Sequence, residues 1–171
     1  MPIAFGSRFA AQRAELLRRV AKIGFFQNLS ESERQNLLMN GVMHNYSNGQ
    51  VIFEENSLKD QAIYFIVSGE VEIQLDGYEK SGSSTVATLK VGEIFGEMTM
   101  FNNQPRSATT RSKGSSAILL LDLKKMMNDP LANPSPDLTI KILSHIASGL
   151  CNKLSHMNKV LLHTIGYRET D

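Results

Sequence analysis

The sequence predicts an α+β protein that is mainly β: an antiparallel barrel or roll flanked by N-terminal helices and a long C-terminal helix. Three observations carry that prediction. In the middle of the chain the apolar period is two, with Val71, Ile73 and Leu75 alternating with Glu70, Glu72 and Gln74. Short apolar runs are separated by polar turn pairs, as expected of many short antiparallel strands. Beyond Pro136, residues Asp137 to Ile165 contain no proline and a single glycine, Gly149, which leaves a long helix as the natural reading.

Taken in order, the elements begin with an amphipathic leading helix from Arg8 to Lys22. Phe9, Leu16, Leu17, Val20 and Ile23 share its apolar face, and basic residues fill the other. A second helix opens at Ser30, where Glu33 stands at capping-box spacing, and runs to about Met39 before Asn40-Gly41. Strands are predicted at Gln50 to Glu54, Ala62 to Val67, Val71 to Leu75, Ser84 to Leu89, Ser107 to Ser112 and Ala117 to Asp122. The second and third of these read as a hairpin joined by Ser68-Gly69. Asp76-Gly77, Ser81-Gly82 and Lys113-Gly114 read as further turns. Pro130, Pro134 and Pro136 then break the chain, and Gly166 is a natural end for the helix that follows. On that helix Leu143, Ala147, Leu150, Leu154, Met157, Leu161 and Thr164 alternate spacings of four and three. Such a repeat keeps one seam facing a partner helix, so a homodimer through it is expected.

Composition removes several classes of function. The 171 residues amount to about one domain, and hydrophobic and charged shares of 42% and 20% are those of a chain that folds. Lys and Arg number 18 against 17 Asp and Glu, so a net charge of +1 lacks the basic surplus of a dedicated nucleic-acid binder. Any anion must therefore be held locally. The lone Cys151 cannot form an internal disulfide, and the charged N-terminus has no signal-peptide core, so a cytoplasmic location is expected. Ala117 to Leu121, the longest aliphatic run, is far shorter than the roughly 20 residues needed to span a bilayer, and no membrane partner is expected. His44, His145, His156 and His163 all fall outside the predicted strands, three of them on the last helix. The barrel is thus expected to hold no metal, and no residue reads as catalytic. Cys151, Met98 and Met100 read as packing, and the basic residues of the leading helix as a solvated face.

The chemistry concentrates between Val91 and Thr110. Gly96 lets a backbone N–H approach an anion closely, and the helical turn expected at Glu97 would aim its free N–H groups at the same point. Arg106, delivered by Pro105, has the fork of donors suited to phosphate oxygens. Glu97, an acceptor when ionised, suits a sugar hydroxyl. One donor and one acceptor together imply a ribose phosphate; the plainer alternative is a structural ion pair beside a turn.

The whole string, Gly92-Glu93-Ile94-Phe95-Gly96-Glu97 followed by Pro105-Arg106-Ser107-Ala108-Thr109, closely resembles the phosphate-binding cassette of the cyclic-nucleotide-binding domain family. The resemblance extends to Phe25-Phe26-Gln27-Asn28-Leu29-Ser30, to Ile63 through Val71 and to the helix from Asp137, covering roughly residues 23 to 165. It implies an eight-stranded β-roll of the double-stranded β-helix or jelly-roll type. The chain then divides into a leading helix (1–22), a nucleotide-binding roll (23–136), a C-helix acting as lid and dimerisation element (137–165) and a tail (166–171). By resemblance, Glu97 accepts from the ribose 2′-hydroxyl and Arg106 binds the exocyclic phosphate oxygens. Ser107 adds a contact, and backbone amides of Gly96, Met98 and Ala108 complete the phosphate site. Ile73, Val86 and Ala87 fall where the family walls the purine, although ordinary core packing explains them as well.

The implied ligand is cyclic AMP or cyclic GMP, with cyclic AMP favoured on its frequency in the family; no cofactor is implied. The implied function is a non-enzymatic sensor whose ligand repositions the C-helix for a downstream protein partner. Its alternatives are a constitutive dimerisation scaffold, or the sensor of a transcription regulator such as the family's catabolite activator protein. Against the last, the family's helix-turn-helix is not found after the C-helix. Two departures stand out. The loop before Tyr64 lacks the family's usual glycine turn, and Asn56 is the residue able to take a left-handed conformation there. In the catabolite activator protein, hydroxyl side chains of the C-helix cap the base, whereas the matching positions here are Lys153 and Leu154.

Overall fold

The computed structural model describes residues 15–58, 61–79, 82–129 and 134–164. Residues 15–20 are helical; the leading helix's expected start at Arg8, and the expected end at Gly166, lie outside the described residues. The chain divides into two compact units between Ser135 and Pro136.

In the first unit, helix α1 (Gly24–Gln27) leads into α2 (Glu31–Asn40). The capping box forms as its spacing predicts: Glu33 N–H donates to Ser30 Oγ at 3.2 Å and Ser30 N–H to the Glu33 carboxylate at 2.6 Å. Six strands follow among the described residues: β1 (Val42–Tyr46), β2 (Val51–Phe53), β3 (Ile63–Glu79), β4 (Gly82–Leu89), β5 (Ile94–Phe95) and β6 (Thr109–Leu121), all paired antiparallel. Two short helices, α3 (Glu97–Asn102) and α4 (Leu123–Asn128), bracket β6.

Strand β3 explains the architecture. It pairs with β4, β5 and β6, and from Ile63 to Val67 both of its faces are buried. Tyr64 and Ile66 point into the roll, in one cluster with Ala62, Val71, Leu89, Phe95 and Ile118. Phe65 points the other way, stacking on Phe25 at 5.4 Å and meeting Phe26 edge-on at 5.7 Å. Burial on both faces is why Ala62 to Val67 reads as a continuous apolar run instead of an alternating one.

The structure corrects four expectations. Ser68-Gly69 is not a hairpin turn: β3 runs unbroken through it, and the ladder slips there, so that Ser68 faces Ala117 while Glu70 faces Lys113. Nor does Lys113-Gly114 end a strand, since β6 continues through it and carries the extra residues of that slip. Gly69 sits at φ +81°, and a Cβ there would collide with the backbone of Ser115 and Ser116, so the bulge demands glycine. Dividing β3 and β6 at this shared bulge restores the eight segments of the expected roll. Third, His44 lies within a strand, β1, which sequence reading had not placed. Fourth, the reversal after β3 comes between Glu79 and Gly82, beyond Asp76-Gly77.

The second unit contains α5 (Pro136–Thr164), 29 residues long and beginning on proline, a residue suited to the first turn. Along its heptad stripe Leu154, Met157 and Leu161 are exposed, at 58%, 64% and 59%. No helix of the described chain is long and apolar enough to cross a membrane.

Candidate functional site

The site grows from the turn after β5. Gly96 takes a left-handed conformation (φ 76°) and serves as the N-cap of α3. A Cβ on it would lie 2.6 Å from Arg106 Nη1 and 2.8 Å from Tyr64 Cδ2, so only glycine brings the backbone this close to the guanidinium. Glu97 opens α3 and is 3% exposed; Arg106 is 2% exposed. The glycine, the acid and the arginine picked from sequence are thus brought to one place.

Arg106 is built in from several directions. Nη1 donates to the Gly96 carbonyl at 2.6 Å and Nη2 to the Ala62 carbonyl at 3.2 Å. Its Cζ stands 4.2 Å above the Phe53 ring and 5.2 Å from that of Tyr64. Buried charge is costly unless hydrogen-bonded, and aromatic faces add cation–π attraction. The main chain is also clamped: Asn56 N–H donates to the Arg106 carbonyl at 2.8 Å, and Arg106 N–H to the Ser57 carbonyl at 3.0 Å. Asn56 takes the left-handed conformation its residue type tolerates, at φ 62°. At the cassette's far end, Lys124 Nζ donates to Gln61 at 2.6 Å and to Asn103 at 2.8 Å, tying α4 and the approach to β3 to the C-cap of α3.

The other expected residues sit as follows. Ser107 is exposed, with its hydroxyl 3.8 Å from Met98 Sδ; Met98 is exposed and Ala108 buried. Ile73 and Ala87 face each other in the β3–β4 ladder, both half-buried. Val86 is the extra residue of a bulge in that ladder and is 51% exposed. Sequence reasoning missed Phe53 and Tyr64 as supports of Arg106, and missed the Asn56-Ser57 clamp. Aromatic residues in predicted strands look like ordinary core, and a backbone clamp leaves no side-chain signature.

Among the described residues no three His, Cys, Asp or Glu side chains gather in a metal-binding group. A polar cleft of about 260 Å³, lined by Arg19, Ser47, Ser68, Ser115 and Ser116 among others, lies at the β3–β6 bulge and shares no residue with the cassette.

Comparison with known proteins gives the family and relatives of the fold. The model of the cyclic nucleotide-binding domain matches residues 43–128, half of the chain. A crystal structure of a cyclic nucleotide-binding domain from Methylobacillus flagellatus superposes with a TM-score of 0.71 at 26% identity, covering 88% of this chain and 83% of that one. The cAMP-dependent protein kinase type II regulatory subunit of Drosophila melanogaster is 28% identical over 85% of this chain, which spans 37% of that subunit. A cGMP-dependent protein kinase of Toxoplasma gondii is 32% identical over 56% of this chain, which spans only 9% of the kinase. The chain therefore corresponds to a minor part of the Drosophila subunit and of the Toxoplasma kinase.

Proposed function

The chain belongs to the cyclic nucleotide-binding domain family, and from that membership we propose that it is a non-enzymatic sensor of cyclic AMP. The observation that carries this reading is the convergence of Gly96, Glu97 and Arg106, with the guanidinium buried against the Gly96 carbonyl although ten residues separate them. In this reading Arg106 turns its donors to the exocyclic phosphate oxygens and Glu97 accepts from the ribose 2′-hydroxyl. Ser107 adds a contact, and the amides of Gly96, Met98 and Ala108 complete the phosphate site. The purine lies against Ile73 and Ala87, with Val86 at the rim. Cyclic AMP is placed before cyclic GMP on its frequency in the family and because the Drosophila relative, matched over most of this chain, is a cAMP-dependent regulatory subunit.

Binding is the input. The output we propose is a population shift in α5, which requires the nucleotide to bind one arrangement of that helix better than another. Its heptad stripe, exposed at Leu154, Met157 and Leu161, supports pairing with a second copy. Sedimentation of Met157→Glu as a monomer, against a wild-type dimer, is the expected result for that pairing.

Calorimetric titration with cyclic AMP and cyclic GMP, alongside Glu97→Ala, tests the central reading. Micromolar or tighter binding that the variant loses is expected. No heat and no thermal shift with either nucleotide overturns it and leaves a scaffold. Hydrogen exchange across Leu138 to Thr164 that ignores nucleotide overturns the switch alone.

A further inference from the structure

Among the described residues, one buried hydroxyl has no hydrogen-bond partner. Thr110 is 1% exposed on β6, and its Oγ1 has no hydrogen-bond partner among the described residues. Its direction follows from the ladders. In the register Thr110 stands opposite Phe53 of β2 on one side and Ile73 of β3 on the other. Residues directly opposite in antiparallel strands share a face, and both neighbours pack on the core cluster inside the roll. The next residue fits the alternation: Arg111 reaches the other way to Gln74 with a 3.0 Å bond, while the Thr109 hydroxyl is taken up by Glu55 N–H at 3.0 Å. Ser112, the next inward hydroxyl, is satisfied by Ser116 at 2.7 Å and by the Gly114 carbonyl at 2.8 Å.

A buried hydroxyl without a partner is disfavoured relative to a methyl group of the same shape, so its retention asks for a partner that arrives. The row identifies that partner's chemistry. At one end Phe53 carries the Arg106 guanidinium at 4.2 Å, where the proposed function puts the phosphate; at the other is Ile73, where it puts the purine. The position between them faces the sugar. We propose that Thr110 is a further ligand contact, its Oγ1 hydrogen-bonding an oxygen of the cyclic ribose phosphate; this rests on the nucleotide-sensor reading and names a residue that reading does not use.

Thr110→Val removes the hydroxyl and keeps the shape, and Thr110→Ser keeps the hydroxyl. Calorimetric titration of wild type and both variants with cyclic AMP and cyclic GMP is read together with thermal unfolding of the nucleotide-free proteins. We expect Thr110→Val to weaken whichever of the two nucleotides bind by one common factor, about three- to tenfold. Thr110→Ser should stay within about twofold of wild type. The nucleotide-free midpoint of Thr110→Val should be unchanged or raised, since no bond is lost without ligand. Wild-type binding with equal affinity in Thr110→Val overturns the contact, and a lowered nucleotide-free midpoint overturns it too, because the hydroxyl would then be satisfied within the protein. Unequal losses for the two nucleotides overturn the assignment to the sugar. A wild type that binds neither nucleotide overturns the sensor reading itself, a result separable from all of these.

Discussion

Gly69 and Gly96 occupy the same conformation, at φ +81° and +76°, and both are too crowded for a Cβ, yet they do different work. At Gly69 the crowding comes from the backbone of Ser115 and Ser116. The close approach bends two long strands together and closes the roll. At Gly96 it comes from a guanidinium and a tyrosine ring, so the close approach creates a place where charge is concentrated. The same local device builds fold in one case and chemistry in the other; what differs is what tertiary packing brings to the glycine.

That contrast is open to being broken. Gly69→Ala should have the largest effect, costing about 3 kcal/mol of stability from left-handed strain plus overlap with backbone that cannot move aside. Urea denaturation measures it, and the affinity of whatever remains folded should be unchanged. Arg106→Leu should behave in the opposite way at the site, weakening cyclic nucleotide binding at least ten- to a hundred-fold, about 1.5–3 kcal/mol. Near-normal calorimetric affinity in that variant would remove the chemical side of the comparison. Phe53→Leu sharpens it: loss of the cation–π face should weaken binding roughly tenfold, while Phe53→Tyr, which keeps a ring, should restore most of that loss. Smallest is Ser30→Ala, which removes the cap of α2 at a cost of about 1 kcal/mol seen in thermal unfolding, with nucleotide affinity untouched.

Legibility in the sequence followed the range of the interactions. The capping box at Ser30 and Glu33 was readable because its partners are three residues apart. The left-handed Asn56 was readable for a similar reason, since few side chains tolerate that conformation. The cassette could be read as a string, its glycine, acid and arginine all lying between Gly92 and Ala108. Strand ends were harder. Ser68-Gly69 and Lys113-Gly114 have the composition of turns, and locally a glycine bulge and a hairpin look alike; only the partner strand determines whether the chain reverses. His44 was misplaced because β1 gains its identity from pairing with β6, from Val42 opposite Leu120 to Tyr46 opposite Ser116, and not from its own short, mixed run of apolar and polar residues.

By itself the sequence determined the helical start, the central strands, the long last helix and the string of residues we propose for phosphate binding. Each of these depends on neighbours within a turn or a few residues, where propensity, capping and periodicity act. Only the tertiary structure decided that β3 and β6 are single bent strands, that Phe53 and Tyr64 hold the arginine, and that Thr110 turns its hydroxyl into the roll. These arise from contacts between residues dozens of positions apart, such as Arg106 with Phe53 and Ala62, and local sequence has no term for groups that meet only once the sheet has closed.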